Sequence, residues 1–361
     1  MTYYLVILVY MFLVQYLARN VKEKEVLIMA LTFLPLFLYG AMRVNCGDYE
    51  IYEQYNNWIR ESNTDITLVI ERMEHGYAFL NKLLPYRWII VLTSLLACYA
   101  YGVLFVKIIP QKFRWFCILL FFIEADKTFY FMFASIRNSI AMSILLLYLT
   151  YRICRIEKRY KMHSISELLF FSAITIGAYY IHASAILFFP IAYFATTNKS
   201  FSDVEFLIWI FVLVFLWVIP VERLIENNIF QSDFFSRYDE YIEETRNAGV
   251  LARIGATIFA LLCLFEIRDG NQLPKKMIIS RLMLLYVYSY MLGSINMRVS
   301  YYFIPYAIVF LSLVFVNNHK NALTTLLLVY AFIFFFYSSF IAGSFASATH
   351  SPFVIYKIAG F

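Results

Sequence analysis

The sequence predicts an all-α, polytopic integral membrane protein of about 12 transmembrane helices, with two larger loops on its outer face. Two observations carry that class. Of 361 residues, 62% are hydrophobic and 15% charged, whereas a soluble domain carries roughly a quarter charged residues. Apolar runs of about 20 residues, the length needed to cross a bilayer, recur from one end of the chain to the other. An aromatic content of 20%, with 37 Phe and 30 Tyr, suits lipid-facing and interfacial surface. The net charge of +6 is modest and reports loop asymmetry, so no nucleic-acid partner is expected.

The expected spans are 3–18, 26–42, 88–109, 115–133, 135–151, 166–181, 183–196, 204–220, 250–267, 278–294, 301–317 and 323–343. The first, in MTYYLVILVYMFLVQYLARN, lacks a basic n-region and a small-residue cleavage site, so it reads as a helix rather than a signal peptide. The fourth has only WFCILLFFI before Glu124, Asp126 and Lys127 interrupt it, and the sixth and seventh run together through His182. Polar backbone at membrane depth is tolerated only against protein or a water-filled cavity. Both interruptions are therefore candidate parts of a site, and Glu124 and Asp126 would join it if the fourth span is a half-helix.

Lysine and arginine set the orientation. With the N-terminus outside, the inner segments RNVKEKE, VKIIPQKFR, YRICRIEKRYKMH, the stretch around Lys199, RDGNQLPKKMIISR and NNHKN hold 17 of the 30 basic residues and 8 of the 24 acids. Removing the fourth span would put the RICRIEKRYK cluster outside, so the charge pattern argues for that span. The expected arrangement is a single transmembrane domain, 1–361, with outer loops at about 43–87 and 221–249. Cysteines 46, 98, 117, 154 and 263 include no CxxC pair. Only Cys46 falls in an outer loop, so no intrachain disulfide is expected.

Polar residues gather on that outer side. Arg43 and Asp48 follow the second span, and Glu74 lies further along the same loop in ERMEHGYAFL. Arg137 opens the fifth span, His182 sits in YYIHASAILFF, Arg237 in FFSRYDEYIEE, and Arg298 in GSINMRVSYYF. Each has an ordinary explanation. An arginine at a helix end commonly snorkels to the headgroups, and a histidine can be satisfied in a tight helix joint. Asp48 can cap a helix whose residues Ile51, Tyr52, Tyr55, Trp58 and Ile59 share one aromatic, interfacial face. Glu74 and Gly76 can be turn chemistry. Together, four arginines on one face suit capture of a phosphate or diphosphate by planar bidentate donors, and charged groups near bilayer depth are usually functional.

The ordered set Arg43 with Gly47-Asp48-Tyr49-x-x-Tyr52, Glu74-x-Gly76-Tyr77, Ile136-Arg137-Asn138-x-x-Ala141, His182-x-Ser184 and Arg298-x-x-Tyr301 resembles the EpsG family of Wzy-like membrane proteins in bacterial polysaccharide assembly. The resemblance runs from about 40 to 303. The chain departs from the usual pattern at Asn138, where the family has Gln, and at His75, where Pro is common. The resemblance implies a glycosyltransferase, GT-C-like by analogy, that polymerises undecaprenyl-diphosphate-linked oligosaccharide units of an O-antigen, capsule or exopolysaccharide. The work would be done at the outer face of the bacterial cytoplasmic membrane.

Donor and acceptor would both be lipid-linked, with a chain-length regulator and a flippase as pathway partners and no cofactor or metal. On this reading Arg137, Arg298, Arg43 and Arg237 hold the diphosphate, where fixed cations stabilise developing charge. His182 is the natural general base near neutral pH, with Asp48 and Glu74 as alternatives, and Tyr49, Tyr52, Tyr77 and Tyr301 stack on sugars. A ligase moving finished glycan, a non-enzymatic flippase and a membrane acyltransferase are the competing readings. The one-sided polar set favours an enzyme working at one face over a flippase. The missing second polar cluster, which would receive a cytoplasmic acyl donor, argues against an acyltransferase.

Overall fold

The computed structural model describes residues 2–21, 23–45, 49–61, 73–123, 132–133, 135–157, 165–196, 202–218, 250–268, 274–291, 294–318 and 357–358. The helices are α1 (Thr2–Leu17), α2 (Glu25–Met42), α3 (Tyr49–Glu61), α4 (His75–Leu83), α5 (Tyr86–Ile108), α6 (Arg114–Ile123) and α7 (Ile136–Glu157). They continue with α8 (Ile165–Ile181), α9 (Ala185–Ala195), α10 (Asp203–Val218), α11 (Val250–Arg268), α12 (Pro274–Met291) and α13 (Ser294–Asn318). One short antiparallel ribbon joins β1 (Arg43–Asn45) to β2 (Lys357–Ile358). Among the described residues α2 and α5 are long and apolar enough to cross a membrane, and shorter apolar helices cover 5–20, 165–181, 254–265 and 302–316.

Ten of the twelve expected spans coincide with helix, and 323–343 lies outside the described residues. Of the fourth, Arg114–Ile123 is helix and 124–131 lies outside the described residues. The seventh, α9, is shorter than expected, with 11 residues, about 16 Å at 1.5 Å per residue.

The described chain gathers into two compact units, Met1–Tyr193 with Leu311–Phe361, and Phe194–Phe310. In the first, α5 is the central helix, packing on α2 and α7, while α1 packs on α2 and α6. Its core is aromatic: Phe33, Tyr101, Phe105 and Phe121 interlock with ring centroids 5.2–6.0 Å apart. In the second, α11 packs on α12. Arg281 there makes a bidentate pair with Glu205 at 2.7 and 2.8 Å, and the Tyr288 hydroxyl donates to the Trp209 carbonyl at 2.7 Å.

The polar contacts of the first unit sort into two ends. At one end Arg114 Nη2 donates to Glu25 at 2.8 Å, the Gln111 amide donates to the Ala18 carbonyl at 2.7 Å, and Arg152 Nη1 donates to Glu167 at 2.7 Å. At the other, β1 pairs with β2, Arg87 Nη1 donates to the Arg43 carbonyl at 2.6 Å, and Glu74 meets both Arg137 and His182. Each contact joins segments that the charge pattern puts on the same side.

The α3 helix differs from its expected face. Tyr49, Tyr52, Asn56 and Ile59 are buried, whereas Ile51 and Trp58 are exposed. The cause is Asn56. Its amide nitrogen donates to the Asn81 carbonyl and side chain and to the Leu84 carbonyl at 2.9–3.1 Å, and its oxygen accepts from the Tyr86 backbone N–H at 3.0 Å. Asn81 in turn donates to the Tyr77 carbonyl at 2.8 Å. The turn between α4 and α5 leaves backbone groups that burial would orphan at a cost of about 1–3 kcal/mol each. One inward amide satisfies them and so fixes which side of α3 faces in.

Candidate active site

Three segments distant in sequence meet at Glu74. The residue stands at the N-cap of α4, with extended backbone. Arg137 is the second residue of α7, and His182 lies in the break between α8 and α9, where its N–H still bonds the Ala178 carbonyl at 2.8 Å. Arg137 Nη1 donates to Glu74 Oε2. His182 Nδ1 lies 3.3 Å from Glu74 Oε1, and the Ala183 backbone N–H donates to the same oxygen at 3.1 Å. The three side chains are 17–23% exposed, so the cluster is sheltered yet reachable.

Gly76 lets α4 come this close to α8. A Cβ there would stand 2.8 Å from the Tyr180 carbonyl oxygen and 2.9 Å from the Tyr180 Cβ. Tyr52 and Tyr77 form the other wall. They meet edge to face at 5.7 Å, and the Arg137 guanidinium lies over both rings, at 5.3 and 6.0 Å. Cations over aromatic faces gain about 0.5–2 kcal/mol.

Glu74 is held ionised. Burial pushes its carboxyl up, but the His182 hydrogen bond, the Arg137 charge, the His182 charge and the Ala183 N–H outweigh that and hold it at about 2. A carboxylate that accepts from Nδ1 leaves the lone pair of a neutral imidazole on Nε2. Glu74 is thus a weak proton acceptor and a good orienting partner for one. The folded value lies below the ordinary 4.5, so the stability this network contributes is complete above about pH 4.5 and is lost as pH falls towards 2. Melting wild type and Glu74→Gln side by side is expected to show a gap in Tm that is constant above pH 5 and closes in acid. A gap unchanged down to pH 3 would refute this placement of the charge.

Of the residues expected from the sequence, the structure brings together Glu74, Arg137, His182, Tyr52 and Tyr77. Tyr49 is buried against Tyr86, 5.1 Å between centroids, with its hydroxyl donating to Glu53 at 3.1 Å. Tyr49, Tyr52 and Tyr77, expected to stack on sugars, are core residues here, at most 9% exposed, and two of them brace Arg137. Arg43 ends α2 and is buried over the Phe133 ring at 5.7 Å. Asp48 and Arg237 lie outside the described residues, as do Glu124 and Asp126 and the loop at 221–249. Arg298 and Tyr301 are on α13, with side chains outside what is described. Sequence reasoning passed over Asn56, Asn81 and Arg87; an asparagine on an otherwise aromatic helix face was the available signal for the first.

The structure is helical, with apolar helices long enough to cross a membrane, and its candidate site is a part-buried acid joining an arginine to a histidine. A comparison with family models matches the EpsG family over residues 25–357. The chain belongs to the EpsG family, a membrane-protein family associated with polysaccharide biosynthesis. Comparisons with curated proteins and with solved structures returned no match.

Proposed function

We propose that the protein is a glycosyltransferase that polymerises undecaprenyl-diphosphate-linked oligosaccharide units at the outer face of the bacterial cytoplasmic membrane. The observation that carries the reading is the Arg137–Glu74–His182 constellation. The acceptor hydroxyl of one lipid-linked unit attacks the anomeric carbon of the growing glycan, and His182 Nε2 takes its proton. The bond to the lipid diphosphate breaks, and undecaprenyl diphosphate leaves with the electron pair. Glu74 fixes the tautomer and offsets the charge of the imidazolium that forms, the role a buried carboxylate plays beside a catalytic histidine. Arginines on this side meet the leaving diphosphate. A single displacement inverts the anomeric centre. General-base catalysis supplies about 10²–10⁴ in rate.

Surface-glycan ladders on a gel test this. His182→Ala and Arg137→Ala, expressed at normal levels in a deletion strain, are expected to leave single repeat units attached to their acceptor. A ligase would leave none attached, and a flippase would leave units trapped inside. Wild-type chain lengths from both variants would defeat the assignment.

A further inference from the structure

Two buried asparagines lie one helical turn from the rings that carry Arg137. On α3, Asn56 follows Tyr52 by four residues, and on α4, Asn81 follows Tyr77 by four. Residues at that spacing stack on one helix face, so the two helices meet through two rungs. In one, the Asn56 amide nitrogen donates to the Asn81 side-chain oxygen at 3.0 Å. The other is the edge-to-face pair of Tyr52 and Tyr77, 5.7 Å apart. The Arg137 guanidinium lies over both of these rings and donates to Glu74, which holds His182. An unbroken line of contacts thus joins Asn56 to the imidazole.

The asparagines are 1% and 0% exposed, and their bonds are more than the docking of α3 requires. Tyr49, Tyr52 and Ile59 already bury that helix in one apolar cluster with Tyr77, Ile90 and Ile136. Apolar burial is non-directional and does not by itself stop a helix from turning or sliding, whereas hydrogen bonds have fixed directions. Asn56 is held at both polar atoms. Its nitrogen also donates to the Asn81 and Leu84 carbonyls, at 3.1 and 2.9 Å, and its oxygen accepts from the Tyr86 N–H at 3.0 Å. Asn81 is tied in turn to the Tyr77 carbonyl at 2.8 Å. Turning α3 by one residue would carry Tyr52 about 100° around the helix and take its ring from beneath Arg137. Reacting groups have to be held to within about 0.5 Å, and a misplacement of about 1 Å costs up to about 10² in rate.

We propose that Asn56 and Asn81 are positioning residues for the reaction at His182. They fix the register of α3 against α4 and, through Tyr52 and Tyr77, the place of Arg137 and Glu74. This role rests on the polymerase reading for the reaction it serves, while the geometry behind it is testable without activity.

The full chain, purified in detergent, is treated near neutral pH with diethyl pyrocarbonate, which acylates the neutral imidazole nitrogen, and the rate at His182 is followed by peptide mass spectrometry. Asn56→Ala and Arg137→Gln are each expected to change that rate by about threefold or more, and the double variant to match Arg137→Gln alone, because residues acting through one another are not additive. Asn57→Ala, on the exposed side of α3, is the control and is expected to react as wild type does. Polymer ladders are expected to shorten in Asn56→Ala and to keep their length in Asn57→Ala. A wild-type rate at His182 in Asn56→Ala, full-length ladders from that variant, or effects that multiply in the double variant would overturn the proposal and leave the asparagines as supports of the fold alone. Where Asn56→Ala does not fold, Asn81→Ala, which leaves the Asn56 bonds to Leu84 and Tyr86 in place, is read in the same way. A failed polymerase reading appears instead as wild-type ladders from His182→Ala, whatever the rates of modification.

Discussion

Glu74→Gln is expected to reduce the polymer ladder to single repeat units while leaving a folded, expressed protein. The amide keeps the size of the side chain but alters both partnerships at once. Its single oxygen can serve the Nδ1–H and the Ala183 N–H, which share Oε1, only by turning the NH₂ group donor-to-donor against Arg137, and in either orientation the negative charge that offsets the imidazolium is gone. Arg137, at 23% exposure, also loses its counter-charge. Loss of an oriented base costs about 10²–10⁴ in rate, and removing one partner of a buried pair costs up to about 3–5 kcal/mol, less here because water reaches both groups. Gel ladders read the first effect and Tm the second. Normal chain lengths in Glu74→Gln would remove Glu74 from the mechanism.

Gly76→Ala is the second large effect, and it acts without touching any charged group. Backbone cannot retreat as a flexible side chain can, so a methyl group 2.8 Å from the Tyr180 carbonyl oxygen must push α4 away from the end of α8. That separation carries Glu74 away from His182, whose hydrogen-bond distance of 3.3 Å leaves little reserve. The ladder is expected to shorten severely, with a fall in Tm of the kind that overpacking by about 1–3 kcal/mol produces. Gly177 on α8 is the control, because a Cβ there meets nothing within 4 Å. Gly177→Ala is expected to be silent or slightly stabilising, given alanine's helix preference of up to about 1 kcal/mol. If Gly76→Ala polymerises normally, the close approach is not what holds the site together.

Much of this architecture is legible in the sequence alone, for a physical reason. Crossing a bilayer demands long apolar runs, and the runs before and after His182 and around Arg137 are visible as such. Charge at helix ends then reveals sidedness, which is why Arg43, Glu74, Arg137 and His182 could be placed in company. The part that was not legible is the inward face of each helix. In a soluble protein the apolar stripe marks the core, but lipid is as apolar as a core, so the contrast disappears. On α3 the aromatic residues suggested a face through Ile51 and Trp58, while the buried positions turned on Asn56 and its four hydrogen bonds. The tyrosines were similarly ambiguous: composition cannot distinguish a ring that meets a sugar from a ring such as Tyr77 that braces an arginine. The pairing of β1 with β2, over 300 residues apart, leaves no local signature at all.

The long reach of the Glu74 contacts, 63 residues to Arg137 and 108 to His182, also bears on how the chain is made. Synthesis runs from the N-terminus, so Glu74 is made first, and Arg137 follows 63 residues later, after α5 and α6. A largely buried arginine is costly while unpaired. The waiting carboxylate therefore gives the incoming segment a reason to stay, and the later arrival of His182 completes what Arg137 began. The order of synthesis thus makes Glu74 the receiver for both of its later partners.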